Sequence, residues 1–177
     1  MKRFYFAMSA AVLLLTANNR TFAQASCDAI KKENVELKKA LSMNEPIVSA
    51  RKGDLDYSVT KVEGNIKAQS VTIEILIKNS GKNLEAFTTG VSSILDLNGN
   101  EYLLDKAYYG AEDARFISPT LFRDAPLKCK YIFKGVEPEV KMVKLFNFPV
   151  KYHVPGTNSF DFVEESNEFR DFKINWK

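Results

Sequence analysis

The chain has 177 residues, 45% of them hydrophobic and 27% charged, with 25 Lys and Arg, 22 Asp and Glu, and one histidine. That is the length of one domain plus an extension, with enough apolar content to bury a core, and a lone histidine excludes His-rich zinc sites and the H-E-x-x-H arrangement. Removing Lys2, Arg3 and Arg20 with an N-terminal leader takes the 25 bases to 22, equal to the 22 acids, so no global positive field remains to attract nucleic acid or anionic membrane.

Residues 1–25 have the layout of a secretory signal peptide. Lys2 and Arg3 form a positive start, and Phe4 to Leu15 is an uncharged apolar run too short to span a bilayer comfortably. Small residues in Thr21-Phe-Ala23 and Ala23-Gln-Ala25 suit cleavage after either alanine equally well. Cys27 follows closely, which raises a lipid anchor as an alternative. Gln24, however, stands where a lipoprotein signal has an aliphatic residue. The expectation is an exported, periplasmic or extracellular protein, free in solution, without a membrane-spanning segment.

Residues 26–43 read as a short coiled-coil-like helix. From Cys27 to Leu41, Ile30, Asn34, Leu37 and Leu41 recur at alternating spacings of three and four, with lysines and glutamates on the other faces. This seam is a candidate for homo-oligomerisation, because a polar residue such as Asn34 at one seam position can fix register.

Residues 44–177 switch to period two. Val71, Ile73, Ile75 and Ile77 share one face of a strand that ends at Asn79-Ser-Gly81. Val91 to Leu97 leads into the Asn98-Gly99 hairpin signal, whose partner strand runs from Glu101 to about Tyr109. Cys129, Tyr131 and Phe133 alternate with lysines between Leu127 and Phe133. Strands are also expected at 143–152, 159–163 and 169–176, with an earlier one near 57–62. About seven or eight strands without intervening helices predict an all-β, antiparallel sandwich preceded by one short helix.

The strand Ile73–Gly81, the Asp96–Tyr102 hairpin, the segments Pro126–Phe133 and Leu145–Phe148, and the closing Phe169–Trp176 together resemble the telokin-like, immunoglobulin-like domains of exported bacterial proteins of unassigned function. The resemblance spans Tyr57 to Trp176 and lacks the Cys-Trp-Cys core of antibody domains. It implies an immunoglobulin-like β-sandwich and no activity.

Chemistry-bearing patterns are sparse. Cys129 and His153 are a conceivable nucleophile pair, but Cys129 alternates with core residues and His153 precedes a Val-Pro-Gly loop. Asp96-Leu-Asn98-Gly99-Asn100 starts like a calcium loop, yet glycine and glutamate are missing from its sixth and twelfth positions. Asp161, Glu164, Glu165 and Glu168 form an acidic run beside a turn. No catalytic, metal or cofactor residue is assigned. The segments 81–90 and 110–123 read as long connections. In and just before the second, within Ala107–Phe116, Tyr108, Tyr109, Arg115 and Phe116 are the candidate partner-binding residues, because aromatics and arginine dominate protein and sugar contacts. The expected function is a non-enzymatic module binding protein or glycan through loops at one sandwich end. The alternatives are an inhibitor of a secreted enzyme and, behind it, a hydrolase with an unrecognised site.

Two outcomes follow. N-terminal sequencing of the exported protein is expected to start at Gln24 or Ser26; an intact Met1 or a diacylated Cys27 would overturn the leader reading. Sedimentation of the processed chain is expected to show oligomers that a shortened chain beginning at Asn44 does not form. Monomers for both across the micromolar range would remove the seam.

Overall fold

Side-chain alternation decides the architecture. Along one central strand Val71, Ile73, Ile75 and Ile77 are each 0% exposed, while Lys78 between Ile77 and Asn79 stays in solvent. Each such burial contributes roughly 1.5–3 kcal/mol, so a one-residue slip of register would be prohibitive. The structure, a computed structural model, describes residues 30–36, 45–158 and 160–177. The chain divides into two units, Met1–Glu45 and Pro46–Lys177.

In the first unit, residues 30–36 form the helix α1, every residue of it exposed. Asn34 donates its side-chain amide to the Ile30 carbonyl one turn back at 3.0 Å. Of the predicted seam, only Ile30 and Asn34 are described. Leu37 and Leu41 lie outside the described residues, as do Cys27 and the whole leader.

Among the described residues the second unit holds thirteen strands: β1 Val48–Lys52, β2 Leu55–Asn65, β3 Ser70–Asn79, β4 Glu85–Thr89, β5 Ser93–Leu95, β6 Glu101–Tyr109, β7 Glu112–Asp113, β8 Leu127–Lys134, β9 Met142–Asn147, β10 Val150–His153, β11 Phe162–Glu165, β12 Glu168–Lys173 and β13 Asn175–Trp176. The larger sheet runs β1-β2-β3-β8-β6-β5-β9-β12, with β7 on β6 and β13 on β2; the smaller runs β11-β10-β4. All pairings are antiparallel except β13 with β2.

β6 is the corner. Its first residues pair with β5 and its later ones with β8, with a register shift between Leu104 and Lys106. Such an irregularity bends a strand and lets one sheet fold over on itself. Rings then meet across the interior: Tyr57 of β2 lies 5.6 Å from Phe148, and Tyr131 and Phe133 of β8 lie 5.5 and 5.7 Å from Phe146 of β9. The result is an all-β sandwich, antiparallel but for the β13–β2 pairing. Cys129, Tyr131 and Phe133 face its core as their alternation predicts, and Cys129 is a free, buried thiol. The terminal strand is pinned by Trp176, which donates to the Val140 carbonyl at 2.7 Å. Its ring occupies the space a Cβ on Gly64 would need.

The strands outnumber the expected seven or eight because long segments divide and short ones pair. The predicted strand 143–152 is two strands in different sheets, β9 and β10. Phe148 and Pro149 separate them, and proline removes the N–H a continuing ladder needs. The stretch 81–90, read as a connection, contains β4.

Between β5 and β6 the chain turns around one carboxylate. Asp96, 4% exposed, accepts from the Asn98 and Asn100 amides at 2.8 and 2.9 Å, the Asn100 side chain at 2.8 Å and the Tyr102 hydroxyl at 3.2 Å. Gly99 supplies a positive φ of 84° at the tip. The loop is therefore wider than a two-residue hairpin turn. With four donors, the carboxylate has nothing left to offer a calcium ion.

Burial acts to raise the Asp96 pKa, but these hydrogen bonds outweigh it and hold the group below its ordinary 3.8. Stability from a depressed carboxyl is present above the unfolded-state value and is lost as pH falls through the folded one. Asp96→Ala is expected to cost about 2 kcal/mol at neutral pH and Asp96→Asn less. Urea unfolding should show the gap between Asp96→Asn and the parent narrowing towards about pH 3. An unchanged gap would show that the carboxylate charge is not what closes the turn.

Candidate functional site

Two surfaces concentrate exposed aromatic and charged side chains. The first follows β6. Gly110, at a φ of 63°, reverses the chain, and β7 pairs back so that Asp113 stands opposite Tyr108 and Glu112 opposite Tyr109. Asp113 accepts from the Arg115 backbone N–H at 2.9 Å and from the guanidinium at 2.7–3.2 Å. Those bonds hold its carboxyl down to about 2. Arg115 in turn lies 5.4 Å from the Phe116 ring centroid, and Phe116 is 80% exposed. The ring therefore stands in solvent beside a guanidinium that Asp113 clamps.

The four candidate residues do not act as a group. Arg115 and Phe116 share this platform. Tyr108 is half-buried, its ring 4.3 Å beneath the Lys130 ammonium. Tyr109 is a core residue, 4% exposed, which corrects its assignment to the surface. Its hydroxyl accepts from the Thr89 amide at 2.7 Å and lies 3.2 Å from the Thr89 hydroxyl, and its ring meets Phe87 edge-on. The physical reason is strand parity: neighbouring residues of β6 point to opposite faces, so Tyr108 and Tyr109 cannot both face solvent.

Beyond Phe116 the long connection is tied down. Leu84 and Leu121 exchange backbone bonds at 3.0 and 2.8 Å, and Phe87 N–H reaches the Pro119 carbonyl at 3.0 Å. Asn79, 1% exposed, donates to the carbonyls of Lys82 and Leu121 and accepts from Gly81 N–H. Leu121 goes inward, and Phe122 is left 58% exposed.

The second surface is the small sheet, invisible to sequence reading because 81–90 reads as a connection and β10 reads as one strand with β9. Opposite Tyr152, β4 carries a bulge at Ala86, with a φ of 50°. Beyond it Glu85 pairs with His153, whose Nδ1 lies 3.8 Å from the Glu85 carboxylate. His153 Nε2 lies 3.1 Å from the Asn158 carbonyl. Lys151 bonds Glu164 at 3.0 Å and sits 4.9 Å from the Phe162 ring. On the opposite face, Glu165 of β11 accepts from Tyr152 at 2.8 Å and from Tyr57 of β2 at 3.4 Å, tying the small sheet to the large one. Burial is the main reason both hydroxyls sit well above the usual tyrosine range, with Glu165 adding to it.

This geometry accounts for the other sequence patterns. His153 Nε2 is engaged by the Asn158 carbonyl of its own loop, and burial pushes the Cys129 thiol up to about 12, far from a reactive thiolate. The acidic run is dispersed: Glu164 goes to Lys151, Glu165 to two tyrosines and Glu168 to Arg170. Among the described residues no metal-binding group of His, Cys, Asp and Glu forms, and no helix is long and apolar enough to cross a membrane.

No family model and no curated protein matches the chain. Among solved structures it is similar to the yeast GGA1 GAE domain, with 16% identity over 70% of this chain and 96% of that one and a TM-score of 0.40. It is also similar to AvmM, described as catalysing macrocyclization in alchivemycin A biosynthesis, with 9% identity over 73% and 96% and a TM-score of 0.34. At these values neither likeness bears on ligand or activity.

Proposed function

We propose that the chain is an exported, non-enzymatic module whose sandwich domain binds a partner protein through the Arg115–Phe116 platform. The observation that carries this reading is a phenylalanine 80% exposed beside an arginine that is clamped to Asp113 at 2.7 Å. A guanidinium already held in place loses little conformational freedom on docking, and aromatic and arginine anchors dominate protein interfaces. Phe122, exposed farther along the same connection, adds apolar area. A glycan is the alternative occupant, since sugars also stack on aromatic faces. Protein is favoured because the guanidinium already stands over the ring. Export rests on the pattern of residues 1–25.

The test is a photo-crosslinking side chain at position 116 in the native host, with the exposed Lys67 as the control position. Discrete protein adducts at 116, reduced by Arg115→Ala, are expected. Adducts identical at both positions, or none at 116, would overturn the reading.

A further inference from the structure

A strand at a sheet edge carries a row of backbone N–H and C=O groups that pair with nothing in its own sheet. β11 is such an edge: β10 pairs with it on one side, and no strand lies on the other. Among the described residues no backbone hydrogen bond outside that pairing involves 162–165. The side chains beside this edge are apolar and acidic. Phe160, Phe162 and Val163 are 86%, 41% and 37% exposed. Asp161, Glu164, Glu165 and Glu168 fall between residues 160 and 168, a stretch without a lysine or arginine.

The nearby cations are already held. Lys151 is bonded to Glu164 at 3.0 Å, and Lys52 donates to the Ser166 carbonyl at 3.0 Å. Asp161 has no side-chain partner among the described residues. A cleft of about 440 Å³ continues from the end of the strand, lined in part by Glu164, Glu165, Lys151 and Pro149. A second copy of β11 is a poor occupant, since antiparallel self-pairing would bring two sets of carboxylates together. A basic strand suits it.

We propose that the outer edge of β11 receives an extended, lysine- or arginine-containing segment of a partner protein, which adds as a fourth strand to the small sheet. Main-chain bonds along 162–165 supply the register. Apolar side chains of the segment lie against Phe162 or Val163, and its basic ones approach Asp161, the acid of this stretch left without a side-chain partner among the described residues. This site is separate from the Arg115–Phe116 platform, and either can fail without the other.

The test uses the full chain and a capped peptide alternating valine and lysine, with amide hydrogen exchange as the readout. Slowed exchange within Phe162–Glu165 is expected. The same peptide methylated on alternate backbone nitrogens should lose that protection, and a valine–glutamate peptide should not bind. Asp161→Lys, a surface change that leaves the core intact, should weaken binding about fivefold, and Phe116→Ala should leave it unchanged. Protection confined to other segments, binding that survives backbone methylation, or equal binding of the glutamate peptide would each overturn the proposal.

Discussion

Phe146 and Phe148 stand on the same side of the chain where it leaves the large sheet for the small one, and the rest of the sandwich is arranged around them. Their rings stack at 4.9 Å, and Phe148 stacks again on Phe169 of β12 at 5.5 Å. Tyr57, Tyr131 and Phe133 come from the opposite layer to meet them edge-on or tilted. Aromatic rings carry more buried area per residue than any aliphatic and prefer these offset and edge arrangements. The spacing of the layers, the break at Pro149 and the placement of both surfaces follow from keeping that cluster dry.

Around the aromatic centre, buried Asn79 and Asp96 and half-buried Glu165 sit where the chain leaves a sheet. Asn79 closes the exit of β3, Asp96 closes the turn into β6, and Glu165 ties the small sheet to β2 through two hydroxyls. Each satisfies backbone or hydroxyl groups that burial would otherwise leave without partners, at a cost of about 1–3 kcal/mol apiece. These nodes explain why the long connections are ordered. They also explain why Asp96 and Glu165, which look available in sequence, are committed to structural hydrogen bonds.

What remains at the surface is of two kinds. At Arg115 and Phe116 a single ring stands in solvent beside a clamped guanidinium, a feature of side chains. At β11 the exposed feature is backbone, and side chains only tune which strand could join it. Neither places a nucleophile next to a base. Cys129 is sealed in the core and His153 is bonded into its own loop.

The all-β class and the inward faces of β3 and β8 were legible from sequence, as was the general course of the hairpin after Leu95. Strict alternation of Val, Ile, Cys, Tyr and Phe with charged residues has only one pleated solution. The exported character read from residues 1–25 and the Leu37–Leu41 seam belongs to sequence alone, since those residues lie outside the described ones. Tertiary structure decided the rest. Continuous apolar runs such as 143–152 carry no mark of which sheet each half joins, because both halves are buried. The division at Pro149 depends on what each half meets across the interior. The bulge at Ala86 and the burial of Tyr109 depend likewise on neighbours brought together by the fold. Composition can nominate an aromatic for the surface, but only the neighbouring strands determine whether it reaches solvent.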